Sequence, residues 1–558
     1  MRDEDLSRRE LFRRGRTLGA AALAMPVLLP GVTDAATGAG TIPGFGAEAA
    51  TAAAGLLPDP NGIKVGPEIY ESIGVKPLIN ARGTFTIVSG STMLPEVRAA
   101  MDAASRRYVH LDELMDAAGA RLAKLTGAEW GLITCGCSAA LTHATAACIA
   151  GGNPDLHVRI PNLQGFPKDE VIIPKHSRNV YDAAIRAVGA RVVEVDTMAE
   201  LEAALGPRTA MIYVFAGPRV DAGPLTLKAI ASLAQPKNVP ILVDAAAEIL
   251  TVPNVHLQNG ATLVGYSGGK CLRGPQTAGM LLGRKDLVKA AWVHSAPHHG
   301  YARAMKIGKE ETLGMLMAVE MWMQRDHEAE TKKWAGWLDT IAKKMATIPG
   351  VTTKVEQPEG LSNKTPSLRV LWDRKQFGLA GDAVSRALFD GEPRITMSPT
   401  RGDTPAQTGV SITPYMMAAG EEIIVADKLH AVITNPPAAA KDPATAPAAP
   451  VGDLSGRWDV QIQYAASKST HTLQLRQKGA DIDGSHQGDF VTREISGTLE
   501  GDTLRLRSGI NEDHGDSINC TFNGKVNGDA ISGTLDMGEY RSATWTATRR
   551  ARGTRGSA

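Results

Sequence analysis

The sequence predicts an α/β domain, a mostly parallel sheet with helices on both faces and a small C-terminal subdomain, followed by a small all-β barrel or sandwich. Three observations predict it. Between Trp130 and Gly283 short apolar runs alternate with helical patterns, which is β-α repetition. A Pro/Ala run, Asn435 to Pro450, then interrupts the chain. After it strand signals recur at short intervals without helical periodicity, and Ile495-Ser-Gly-Thr-Leu499 is repeated as Ile531-Ser-Gly-Thr-Leu535.

Composition bounds the function. A chain of 558 residues has room for several domains and an ample core. Its hydrophobic fraction of 43% and formal net charge of +1 are those of an ordinary globular protein. Without a large basic excess to neutralise phosphates, nucleic acid is not expected as the main partner. The five cysteines, Cys135, Cys137, Cys148, Cys271 and Cys520, form an odd, sparse set that predicts no disulfide framework. The Cys135-x-Cys137 spacing matches neither a thioredoxin-like pair nor a zinc knuckle, and no metal site is expected.

Residues 1–36 are similar to a twin-arginine signal peptide: Arg8-Arg9, then Arg13 and Arg14, precede a weakly apolar run from Leu18 to Leu29. That run is too short and too rich in Gly and Ala for stable membrane insertion. Residues 37–60 read as an Ala/Gly-rich disordered tether. Export to the periplasm or outside the cell is therefore expected.

The next domain, 61–434, divides into a large part at about 90–325 and a small subdomain at about 350–430. Ser91 to Met101 starts a helix with Pro95 early, and Leu111 to Leu125 has helical spacing ending at Gly127. Trp130 to Thr134 is a strand, followed by Cys135-Gly136-Cys137-Ser138 and a small-residue helix to Ala150. A strand, a small-residue turn and a helix leave backbone N–H groups and a dipole for a phosphate, although many such turns bind nothing. Strands follow at Val171–Ile173, Arg191–Val195, Ala210–Phe215 and Pro240–Asp244, with helices between them. The apolar run at Thr262–Tyr266 ends in Ser267-Gly268-Gly269-Lys270, and a second apolar run, Ala278 to Leu282, follows the Gly274-Pro275 turn. Glu310 to Met345 reads as one long helix, broken or bent near Gly314 and Gly336, with a Met/Trp face of the kind that packs in a core or a dimer interface.

Ser138, His176, Asp244 and Lys270 all fall at or just after strand ends, where ligands bind in such sheets. A Walker A loop is excluded because Cys271 follows Lys270, and Gly136 begins no dinucleotide fingerprint. Pyridoxal 5'-phosphate (PLP) fits each part: a lysine to form the Schiff base, a carboxylate for the pyridinium nitrogen, a helix start for the phosphate. Each residue also has a plainer reading. Lys270 can be a solvated loop lysine, Asp244 a helix N-cap, and His176 a surface histidine.

Six motifs then recur in order: Ile79-Asn-Ala-Arg-Gly-Thr84, Gly90-Ser-Thr-Met-Leu-Pro-Glu-Val97, Thr126-Gly-Ala-Glu129, Ser267-Gly-Gly-Lys270, Gly274-Pro-Gln276 and Ile307-Gly-Lys-Glu-Glu311. Together they resemble the selenocysteine-synthase/glucosaminate-6-phosphate ammonia-lyase branch of fold-type-I PLP enzymes, over about two thirds of the chain. The resemblance implies the aminotransferase type I fold, with Lys270 as the Schiff-base lysine and Asp244 as the pyridinium partner. It implies His176 stacked on the ring, and Gly136, Cys137, Ser138 and Ser267 around the phosphate. Cys137 would offer only its backbone N–H there, since a thiol is a poor donor. For the substrate the candidates are Arg82, Thr84, Arg273, Gln276, Arg303, Arg369 and Arg394, any of the arginines being equally able to form a surface salt bridge.

Residues 451–550 read as an accessory β domain with a binding or oligomer-stabilising role. The reading as a whole is an exported PLP lyase, a homodimer or higher homo-oligomer, that eliminates across the α,β bond of a hydroxy amino acid or amino-sugar acid. An aminotransferase or racemase is the alternative within enzymes, and a non-catalytic ligand- or carbohydrate-binding protein the alternative outside them.

Overall fold

A computed structural model describes residues 62–438, 448–512, 515 and 517–550. The expected signal peptide and tether lie outside the described residues, as do positions 439–447 of the expected linker. Of the described residues, 62–76 fall in one unit and those from Pro77 in another. In the first, the 3-10 turn Glu71–Ile73 closes on Gly74, whose φ is 78°.

The second unit is built on a seven-stranded sheet. Its strands are β1 (Trp130–Thr134), β2 (Glu170–Pro174), β3 (Arg191–Val195), β4 (Thr209–Phe215), β5 (Ile241–Asp244), β6 (Leu263–Ser267) and β7 (Gly279–Gly283), in the order β1-β7-β6-β5-β4-β2-β3. Pairings among β2 to β6 are all parallel; β7 runs antiparallel to both β6 and β1. Helices cover the central strands, so they are near-continuous apolar runs rather than alternating ones: Val171–Ile173, Ala210–Val214 and Ile241–Val243 are buried throughout.

Helix α1 (Pro95–Ser105) carries proline at its first position, where a missing N–H costs nothing. Helix α2 (Leu111–Thr126) ends on Gly127 at φ 75°. Helix α3 (Gly136–Ala150) follows β1 directly and is buried from Ala139 to Ala150. A helix apolar on every side belongs in an interior, and its alanines let sheet and neighbouring helices close on it.

The helix expected over Glu310–Met345 is broken, but not at either glycine. Helix α4 (Lys309–Gln324) and α5 (His327–Met345) meet at Arg325 and Asp326, and Gly314 and Gly336 lie inside them. Asp326 decides the break: its carboxylate accepts from the Ala329 N–H at 2.9 Å, an N-cap stronger than the glycine signal.

The small subdomain is an antiparallel sheet of β8 (Thr352–Glu356), β9 (Ser367–Asp373), β10 (Ser398–Arg401) and β11 (Gln407–Ile412), in the order β10-β11-β9-β8. Helices α6 (Gly381–Asp390) and α7 (Glu421–Thr434) pack with α5 around Val370, Trp372 and Leu429. Ile79 and Ala81 belong to this core, because Ile79–Asn80 pairs with Ile395–Thr396. Residues 79–81 thus join the small subdomain before the chain enters the large part.

Of the expected barrel or sandwich, the structure is a closed barrel. Its strands β12 (Gly456–Gln463), β13 (Lys468–Lys478), β14 (Asp481–Gln487), β15 (Thr492–Glu500), β16 (Thr503–Asn511), β17 (Ser517–Asn527), β18 (Ala530–Asp536) and β19 (Ser542–Arg549) each run antiparallel to the next, and β12 pairs with β19. Trp458, Leu473, Phe522 and Trp545 fill the interior. The repeated pentapeptide has a mechanical meaning. Its isoleucine and leucine point inward from β15 and β18. At the glycine between them, a Cβ would stand 1.9 Å from the Arg505 carbonyl oxygen at Gly497, or from that of Asn523 at Gly533. Only glycine lets the strands close there.

Candidate active site

The carboxyl ends of β4, β5 and β6 lie side by side: Phe215 pairs with Asp244, and Asp244 with Gly265. From the end of β6 the chain turns through Gly268 and Gly269 to Lys270, and this turn is clamped. The Gly268 N–H donates to Ala278 at 2.8 Å, that of Gly274 to Gly268 at 2.8 Å, and that of Ser91 to Gly269 at 3.0 Å. Lys270 is half-buried on this rigid loop, and its charge favours the ionised forms of Asp244 and Cys137.

Asp244 is 2% exposed. It caps no helix, since residues 245–248 form a turn. Burial pushes its carboxyl above the usual carboxylate range, and four effects oppose this: the Ala246 N–H at 3.1 Å, the Tyr213 hydroxyl at 3.0 Å, the Lys270 charge and the Cys137 thiol at 3.5 Å.

The N-terminus of α3 opens beside them. Ser138 is exposed in its first turn, and its hydroxyl makes no hydrogen bond among the described residues. Ser267 reaches the same place through its pairing with Gly279. A Cβ on Gly279 would lie 2.5 Å from the Gly136 carbonyl carbon and 2.6 Å from the Cys137 nitrogen, so helix start and strand start meet only because this residue is glycine. Cys137 faces away from the open end: its thiol is buried against Asp244, and only its backbone N–H remains at the helix start.

His176 sits on the turn after β2, between the Leu225 carbonyl at 3.3 Å and the Ser177 hydroxyl at 3.0 Å. Burial lowers its pKa. The Ser177 hydroxyl also accepts from the Phe215 N–H at 3.1 Å, which ties the histidine's turn to the strand beside Asp244.

The expected substrate residues divide. Gln276 is exposed and donates to Thr86 at 3.3 Å, and Arg273, at φ 56°, donates to Thr92 at 3.0 Å, so both hold the Lys270 loop to the N-terminal segment. Thr84 shares a 2.6 Å hydrogen bond with Tyr415. Arg82 stacks on Phe85, and its buried Nε lacks a partner among the described residues. Arg303 is exposed and forms no ion pair among the described residues. Arg369 and Arg394 have partners within the small subdomain. Arg369 is held by Glu356 and Asp403 at 3.1 and 3.2 Å, and Arg394 stacks on Phe389 and donates to its carbonyl at 3.0 Å. Both brace the small subdomain, where the opposing groups supply partners that charge alone does not reveal.

A cavity of about 650 Å³ adjoins the loop. Cys271, Arg273, Trp322, Arg325, Trp334 and Tyr415 line it; Lys270 and Asp244 do not. Sequence reasoning missed Tyr213, Asn179 and the inward turn of the Cys137 thiol. For Asn179 a signal existed, since it stands three residues after His176; for Tyr213 there was none without the strand register.

PLP fits what is here: a half-buried lysine on a clamped loop, a buried carboxylate rich in donors, and an unblocked helix N-terminus with two serines.

No protein-family model matches the chain. The D-glucosaminate-6-phosphate ammonia lyase of Salmonella typhimurium is 32% identical over 375 residues, 66% of this chain and 98% of that one. The 5'-C-glycyluridine monooxygenase-decarboxylase of a Streptomyces species is 32% identical over 301 residues, 52% of this chain and 74% of that one. A solved structure of D-glucosaminate-6-phosphate ammonia-lyase superposes with a TM-score of 0.59 at 32% identity, covering 66% of this chain and 99% of its own. The chain belongs to the glucosaminate-6-phosphate ammonia-lyase family of fold-type-I PLP enzymes.

Proposed function

We propose that the chain carries PLP on Lys270 and eliminates across the α,β bond of a hydroxy amino acid or amino-sugar acid, releasing ammonia and a keto acid. The observation that carries this is the convergence of Lys270 and buried Asp244, at the ends of the adjacent strands β6 and β5, with the open start of α3, whose Cys137 thiol meets Asp244. When bound, PLP supplies an electron sink for the charge left as the substrate loses its α-proton. Asp244 would face the ring nitrogen and keep it protonated. The backbone N–H groups of Gly136 to Ser138, with the Ser138 and Ser267 hydroxyls, would hold the phosphate, and His176 would lie against the ring. The Lys270 amine takes the α-proton as general base.

The substrate's far end extends toward the neighbouring cavity, whose wall carries Arg273, Arg325, Lys332 and Lys364 against Glu328 and Glu330. That balance suits an acidic substrate, and the Salmonella relative is named for an acidic, phosphorylated amino sugar. Incubation of the purified protein with hydroxy amino acids and amino-sugar acids, with and without a 6-phosphate, tests the reading. Stoichiometric ammonia and keto acid are expected; amino transfer to an acceptor or inversion at the α-carbon would reassign the enzyme to its alternatives.

We further propose export by the twin-arginine route, supported by Arg8 and Arg9 before the weakly apolar run. Cell fractionation should find the protein outside the cytoplasm, and a variant with both arginines changed to lysine retained within it. Unchanged distribution would remove the proposal.

A further inference from the structure

Asp244 accepts hydrogen bonds on both oxygens, and the direction of each follows from its neighbours. The Asn179 amide oxygen accepts from the Tyr181 N–H at 2.8 Å, which orients the amide so that its nitrogen donates to the Tyr213 hydroxyl at 3.1 Å. A phenol that accepts from Asn179 has one proton to give, and Asp244 Oδ2 lies 3.0 Å away. On the other side the Cys137 thiol and the Ala246 N–H converge on Oδ1 at 3.5 and 3.1 Å. An ionised carboxylate only accepts, so the thiol is the donor.

The arrangement is built rather than incidental. Tyr213 is fully buried and Cys137 7% exposed. The strand residue paired with Asp244 is Gly265, and a Cβ there would come within 3.1 Å of the Cys137 sulfur. The glycine opens the slot that the thiol occupies. The side-chain groups acting on Asp244 are Tyr213, Lys270 and Cys137.

We propose that Cys137 and Tyr213 are positioning residues, which keep Asp244 ionised and fix its two oxygens for the cofactor's ring nitrogen. This rests on the PLP reading above. A carboxyl this buried takes up a proton unless donors favour its charged form. A neutral Asp244 would leave the ring nitrogen without the negative charge that holds its proton. Cys137, at the start of a helix whose backbone meets the phosphate, would thus serve both ends of the cofactor.

Infrared spectroscopy of the apoprotein tests it without turnover. The carboxylic acid band of Asp244 is identified by its loss in Asp244→Asn, and its pH midpoint is followed. Tyr213→Phe and Cys137→Ala should each raise that midpoint by about one pH unit, a tenfold change in proton affinity. Cys137→Ser should restore most of it, since a hydroxyl can also donate. Affinity for PLP should fall by about the same factor in the first two variants. With folding verified by circular dichroism, an unmoved midpoint in both, or no acid band in any variant down to the pH of unfolding, would overturn the inference. If wild-type protein bound no PLP, the functional reading would fail while the midpoints still decided this one.

Discussion

Lys270→Ala is expected to lower turnover by about a thousandfold or more, because it removes the covalent anchor and the general base together. Borohydride treatment of PLP-loaded wild-type protein should leave a cofactor-bearing peptide containing residue 270, and the variant should leave none. The fold should be untouched, since Lys270 is only half-buried and the loop that carries it is held by backbone hydrogen bonds at Gly268, Gly269 and Gly274. Added amines give a second readout. A small primary amine should restore part of the proton transfer if the lysine acts as base, and none if it acts only as anchor. A variant that still forms a reducible adduct, or turns over at the wild-type rate, would remove Lys270 from the centre of the site.

The largest stability effect is expected at Asp182. Its side chain is fully buried, with Arg178 Nε at 2.6 Å and Arg186 Nε at 2.7 Å, and the Arg178 side chain is only 8% exposed. Asp182→Ala would leave a buried guanidinium facing its other partner, Glu194, without the carboxylate that orients it. Breaking a buried pair from one side costs about 3–5 kcal/mol. The urea midpoint should fall accordingly with an unchanged m value. A drop within about 0.5 kcal/mol, the range of ordinary surface substitutions, would show that the pair does not carry the segment. The effect should reach the site, because the segment holding Asp182 also holds His176 and Asn179. Weaker PLP binding is expected alongside the lost stability.

Local signals made much of the fold legible. Apolar runs that end in a carboxylate or at a glycine bend identify strand ends, and Asp244 and Lys270 stand at one of each. The small-residue stretch after β1 is a helix because alanine forms helices well and packs closely. Where two local signals competed, the weaker was read: glycines inside α4 and α5 suggested bends, but the capping carboxylate of Asp326 set the break. The arginines were least legible. A guanidinium looks the same in sequence whether it meets substrate, as proposed for the cavity wall, or Glu356 across a strand pair, as Arg369 does.

By itself the sequence determined the order of strands and helices, the presence of a separate run of strands after the Pro/Ala stretch, and the lysine on its glycine turn. These depend on neighbours within a few residues, and periodicity and turn chemistry report such neighbours directly. Only the tertiary structure decided that the β domain closes, with Trp458 paired to Arg549, and that Asp244 meets a thiol 107 positions away and a phenol 31 positions away. Cross-strand contacts depend on register, and register is set by how whole faces pack, which no short stretch of chain encodes.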